Sequence, residues 1–182
     1  LSCAVNKMNW QLFGPTPTLS IPTFTVTPTP YLVVTKAEII SWVNSLRSDL
    51  GYRGLKEDPF LNASAQDAAQ IMADGLPGHA GSVRERIPLY GYNNGYEVFA
   101  TENYVTGPMT MDEIAAVWAD FEHQRIVENY LYCHIGVGMA EAADGTIYYV
   151  VHGAYPAFQN GCAYRKQPEG ATPIPTPGAY AG

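Results

Sequence analysis

The chain has 182 residues, 10 basic and 17 acidic, for a formal charge of −7. That length suits one domain with a proper core. The acidic balance excludes nucleic acid and an anionic membrane surface as main partners, since both need a basic face. No apolar run of about 18 residues is present to span a bilayer.

The chain starts at Leu1 and not at methionine, so the expectation is an exported protein whose leader has been removed. "LSC" at residues 1–3 resembles the end of a bacterial lipoprotein signal, which makes Cys3 a candidate for lipidation or for an intersubunit bridge. Residues 1–35 are predicted to form an extended arm. They hold five prolines, seven threonines and no acidic residue, and proline in this density rules out a helix. Between the prolines, "LSI", "FTV" and "YLVV" alternate as strands do. Two readings follow. One is a flexible stalk. The other is a strand that pairs with the open sheet edge of another copy, giving a homo-oligomer or filament.

Residues 36–157 are predicted to be the globular domain. Thr35 and Glu38 form a capping box. Ile39, Val43, Leu46 and Leu50 then share a helix face, and Gly51 ends the helix. Asp58 before Pro59 opens a second helix, with Leu61, Ala65, Ala68 and Met72 inward. Thr110 and Glu113 open a third, with Ile114, Val117, Trp118 and Phe121 on one face. "HIGVGMA" and "TIYYVVHGA" read as two strands joined by the Asp-Gly turn of "AADG". Helices followed by strands give an α+β class. Residues 158–182 form a tail that ends Pro- and Thr-rich. Cys133 lies just before the first strand and Cys162 just after the second, so an antiparallel hairpin brings them within reach of a disulfide.

His79 lies in the glycine-rich "PGHAGS", Glu102 in "TEN", and His123 just beyond Trp118. Two imidazoles and a carboxylate suit a zinc-like ion or acid–base work. The competing reading is a hydrogen-bonded network that closes the fold. There is no HExxH spacing and no nucleophile elbow. His134 and His152 read as structural or surface residues. Tyr90, Tyr92, Tyr96, Tyr148 and Tyr149 are candidates to line a sugar or sterol groove. Asn62 and Ser64 complete an N-glycosylation triplet.

Taken in order, "PGHAGS", "GYNNGYEVFATEN", "TMDEIAAVWADFEHQRIV" and "HIGVGMA…DGTIYYVV" resemble the CAP superfamily: cysteine-rich secretory proteins, antigen 5 and pathogenesis-related 1, in the bacterial SCP-domain form. The resemblance covers roughly residues 36–155. It implies a three-layer α-β-α sandwich and an extracellular or cell-surface location. It also implies a cavity of two histidines and two glutamates. His79, Glu102 and His123 match three of these, and the second glutamate falls on Phe121. Asp120 and Glu122 are expected to point elsewhere on the helix. The glycine of the family's "GEN" is Thr101. With three of four ligands, a divalent metal such as zinc, held by His79 and His123, would be bound loosely or not at all. The family has no single agreed reaction, so the resemblance speaks to fold before activity. The reading is a secreted, non-enzymatic protein that assembles through its arm. The alternative is a ligand-binding or metal-dependent hydrolytic protein acting on lipid, glycan or peptide.

Overall fold

The computed structural model describes residues 34–76, 78–158 and 161–171. The predicted arm up to residue 33, Cys3 within it, and residues 172–182 of the tail lie outside the described residues.

Helix α1, Lys36–Asp49, starts at the expected box: the Thr35 hydroxyl accepts from the Glu38 N–H, and the Glu38 carboxylate accepts from the Thr35 N–H at 2.7 Å. Its inner face differs from the expected one. Ile39 and Val43 are buried, but Leu50 is half exposed and Arg47 is fully buried. The reason is hydrogen bonding. The Arg47 guanidinium donates to the carbonyls of Arg53, Ile126, Val127 and Asn129 at 2.9–3.0 Å, and a fork with its donors satisfied tolerates burial.

Strand β1 is Lys56–Glu57, and α2 is Pro59–Ala73. Asp58 accepts from the N–H groups of Phe60 and Leu61. Leu61, Ala65, Ala68 and Met72 are fully buried, as expected. The glycosylation triplet lies inside α2, not in a loop, and Ser64 is buried.

The remaining elements are α3 (Val83–Leu89), a 3-10 turn (Tyr92–Gly95), β2 (Val98–Thr106), α4 (Met111–Val117), α5 (Arg125–Glu128), β3 (His134–Glu141) and β4 (Ile147–Pro156). Here α4 is shorter than expected. It ends at Trp118, whose carbonyl is taken by the side-chain amide of Gln124. Turns follow, so Val117 and Phe121 are exposed, while Ile114 and Trp118 are buried.

The strands form one sheet in the order β1-β3-β4-β2. β2 and β3 are both antiparallel to β4, and β1 is parallel to β3. Odd-numbered residues of the long strands (Val105, Ile135, Val137, Tyr149, Val151) pack with α1, α4 and α5. Even-numbered ones (Val98, Ala100, Ala140, Val150, Ala154) pack with α2 and α3. The result is the expected α-β-α sandwich. Among the described residues no helix is long and apolar enough to cross a membrane.

The two sheet edges differ. On β3, the outward groups are covered. β1 and Asp58 donate to the carbonyls of Cys133 and Ile135. Asn62 accepts from the Val137 N–H at 2.9 Å, and Gln66 bonds both the N–H and the carbonyl of Met139. Side chains of α2 thus close that edge. On β2, the bonds Ala157 N–H to Glu97 O and Gly107 N–H to Ile147 O bracket the ladder with β4. Antiparallel alternation then aims the backbone groups of the even residues away from the sheet. The Tyr104 carbonyl among these is taken by the Trp118 indole at 3.3 Å. At Ala100 and Glu102, no described residue bonds the outward N–H or carbonyl.

Cys133 and Cys162 are joined, with Cα atoms 5.4 Å apart. The segment after Cys162 is also pinned by hydrogen bonds: Tyr164 to Asp58, the Arg165 N–H to Asn93, and Asn94 to the Arg165 carbonyl. Closing a loop of 29 residues restricts the unfolded chain. Cys162→Ser is therefore expected to lower stability by about 3 kcal/mol. Urea unfolding of the oxidised protein beside the variant checks this.

Candidate functional site

The register of the sheet creates the core of the site. Glu102 on β2 lies directly opposite His152 on β4, both on the α2 face. In a non-hydrogen-bonded pair of this kind the side chains are close. His152 Nε2–H donates to Glu102 Oε2 at 2.7 Å, and His79 Nδ1–H donates to Oε1 at 2.6 Å. His152 is fully buried, the Glu102 side chain is 4% exposed and that of His79 is 58% exposed. The three side chains thus run from core to surface.

His79 is delivered by a loop bent at Gly78 and Gly81, with φ of 87° and 88°. Only glycine adopts that conformation without cost. The imidazole then stands edge-on to Tyr104, ring centres 4.9 Å apart.

Burial alone would raise the Glu102 pKa. The hydrogen bonds and charge of His152 and His79 outweigh it and hold the carboxyl below the ordinary range. Burial pushes the His152 pKa down, against the pull of Glu102, and keeps the ring neutral. Its Nδ1 has no hydrogen-bond partner among the described residues.

His123 comes from the turn after α4. Its N–H and Nδ1 both bond Asp120, at 3.0 and 2.7 Å, and its carbonyl accepts from Asn103 of β2 at 2.7 Å. Glu122 pairs with Arg125. The expectation for the two acids is therefore corrected. Because α4 has already ended, Asp120 folds back to hold His123, and Glu122 lines the cleft.

The cleft has a volume of about 410 Å³. His79, Ser82 and Arg84 stand on one side, Glu122, His123 and Arg125 on the other, and residues 100–103 of the β2 edge lie along it. The structure therefore brings His79, Glu102 and His123 to one cavity, but only His79 and Glu102 bond each other. None of the five candidate groove tyrosines lines it. Tyr92 and Tyr149 are fully buried, Tyr92 among residues of α2 and α3 and Tyr149 on the opposite face among residues of α1 and α4.

The donor set does not fit a resident metal. Among the described residues no three His, Cys, Asp or Glu groups converge as a metal ion requires. Glu102 has both oxygens occupied by imidazoles and is not free to ligate, while His79 and His123 each turn Nδ1 to a carboxylate, which leaves two Nε2 atoms and no third ligand among the described residues. His152 was the residue that sequence reasoning passed over. Its signal was available only through the pairing of β2 with β4, which sequence reasoning did not assign.

The comparisons accord with this geometry. The model of the cysteine-rich secretory protein family, CAP, matches residues 40–152, over half of the chain. No curated protein matches the chain. Among solved structures, an outer surface protein from Borrelia burgdorferi is similar with a TM-score of 0.53 and 18% identity, over 64% of this chain and 88% of that one. A cysteine-rich secretory protein from Staphylococcus aureus is similar with a TM-score of 0.53 and 15% identity, over 65% of this chain. The match spans 37% of that protein's length. At these identities the likeness is one of fold. The family match is direct, and the chain belongs to the cysteine-rich secretory protein (CAP) family.

Proposed function

We propose that this chain is a non-enzymatic CAP protein of the cell exterior, and that its cleft binds a ligand without converting it. The observation that carries the reading is the state of Glu102. Both its oxygens accept from imidazoles and it is held ionised. It is no proton donor, and His79 and His123 hydrogen-bond carboxylates, not a serine, threonine or cysteine that they would activate. What the cleft does offer is hydrogen bonding: Nε2 of His79 and His123, two arginines, and the β2 edge. Likeness to an outer surface protein supports the exterior location.

The test uses the full chain and its His79→Ala variant on peptide, ester and glycan substrates, with and without zinc. Equal background turnover by the two proteins is expected. Turnover that His79→Ala removes, with the fold intact, would overturn the reading in favour of a hydrolase. Because no three ligands converge, dialysis against a chelator is expected to shift Tm by less than about 1 °C, in contrast to the effect of removing a tightly held ion. Differential scanning fluorimetry checks this.

A second reading is self-assembly into an extracellular polymer through residues 1–35. It is supported by the alternation in that segment and by the unpaired edge of β2.

A further inference from the structure

We infer that the seam between α2 and α3 binds one internal water molecule as a fixed part of the fold, held by Ser64 Oγ, Arg86 Nη1 and His152 Nδ1. The site lies behind the cleft, on the far side of His152 from Glu102, and it positions that pair. It stands apart from whether the cleft binds a ligand or converts one.

Three buried polar atoms carry the inference. Ser64 and His152 are fully buried, and the Arg86 side chain is 12% exposed. Among the described residues, Ser64 Oγ, Arg86 Nη1 and His152 Nδ1 have no hydrogen-bond partner. Arg86 Nη1 comes within 3.6 Å of Asp67 Oδ2, which is an ion pair but too long for a hydrogen bond. Protein interiors rarely leave such groups unmet, and ordered water is the usual partner where no side chain reaches.

The fold brings the three to one place. His152 on β4 lies between Gly136 of β3 and Glu102 of β2. Helix α2 runs against the sheet at Gly136, where an added methyl would lie 2.2 Å from the Leu61 carbonyl carbon. The next buried position along α2 is Ser64. Asp67, one turn further on, carries the ion pair to Arg86. Helix α3 packs on β2, so Arg86 enters from the other side of the seam, near enough for its charge to act on the His152 ring. His152 spends Nε2 on Glu102. Its Nδ1 therefore faces away from β2, on the side of α2.

The mixture of groups selects the ligand. His152 is neutral with its proton on Nε2, so Nδ1 only accepts. Arg86 only donates, and the Ser64 hydroxyl does either. A water both donates and accepts, and so answers all three. An anion would meet the lone pair of Nδ1, and a cation would meet the guanidinium. The consequence reaches the cleft. A water that donates to Nδ1 keeps the imidazole proton on Nε2, the proton that Glu102 accepts at 2.7 Å. It also ties α3, whose Val83 and Arg84 line the cleft, to the sheet beneath.

The test is a crystal structure of the full chain, with water relaxation dispersion and imidazole nitrogen NMR of the same protein in solution. Density for a water within about 3 Å of all three atoms is expected. Ser64→Val replaces the hydroxyl by methyl groups that fill the site. It is expected to lower the number of long-lived internal waters by about one, and to move the His152 Nδ1 resonance downfield as its hydrogen bond is lost. A direct bond from Ser64 Oγ to His152 Nδ1 in the crystal would overturn the inference by closing the site. Bromide taking the same position on soaking would overturn it by assigning the site to an anion. A folded Ser64→Val with an unchanged water count and an unmoved Nδ1 resonance would overturn it too. Where that variant does not fold, the density in the unaltered protein decides. Turnover dependent on His79 would sink the binding reading of the cleft and leave this site as it is.

Discussion

Gly138→Ala is expected to destabilise the domain by about 3 kcal/mol, at the upper end of the usual cost of overpacking. A methyl group added at Gly138 would lie 2.1 Å from the carbonyl carbon and oxygen of Ala65 in α2. At Gly136 it would lie 2.2 Å from the Leu61 carbonyl carbon. These are backbone atoms of a helix, so no side chain can swing aside. The close approach is a joint product of two sequences, the glycines of β3 and Ala65, Ala68 and Ala69 of α2. It is also what lets Asn62 and Gln66 reach the backbone of Val137 and Met139 and close that sheet edge. The variant should therefore lower Tm by roughly 10 °C and speed amide exchange at Val137 and Met139. Thermal unfolding with exchange measurements checks both. A loss below about 1 kcal/mol would mean that α2 does not sit so near the sheet.

Glu102→Ala is expected to cost about 3 kcal/mol, because it leaves the buried His152 Nε2–H with no acceptor beside an Nδ1 that no described residue partners. Glu102→Gln should cost about 1 kcal/mol, since its carbonyl still accepts from His152. The pH dependence separates charge from hydrogen bonding. The folded pKa of Glu102 is below its ordinary 4.5, so on acidification the unfolded chain takes the proton first. Its contribution is complete above about pH 4.5 and is lost as pH falls through the lower folded value. The folded pKa of His152 is below its ordinary 6.5. The unfolded imidazole therefore protonates first, and stability declines once pH falls below about 6.5. His134, also lowered chiefly by burial, acts in the same direction. Urea midpoints across this range should fall in two stages. Glu102→Gln should keep the upper stage and lose much of the lower one. A wild-type midpoint that stays flat between pH 7 and 5 would contradict the buried neutral state of His152.

What could be read from the sequence was local. Thr35 with Glu38, Asp58 with Pro59, and Thr110 with Glu113 each place a helix start within four residues, and all three starts are found. The hairpin and its disulfide follow from a turn and its flanks. Non-local choices stayed hidden. Arg47 replaces Leu50 on the inner face of α1 only because carbonyls from residues 126–129 converge on it. Phe121 lost its predicted place because Gln124 folds back on Trp118, and the same turn brings Asp120 to His123. The partnership of Glu102 with His152 depends on strand register across 50 residues, which no window of local sequence contains. His79, Glu102 and His123 were legible as candidates through family resemblance. Their division into a Glu102 cluster and a separate Asp120–His123 pair was not.

The proposed self-assembly through residues 1–35 is tested most directly by particle size. Sedimentation velocity of the full chain, over a concentration series, should be run beside a chain that begins at Val34, with microscopy of both. Assemblies that grow with concentration from the full chain alone are predicted. Monomers from both proteins at every concentration would contradict assembly through residues 1–35.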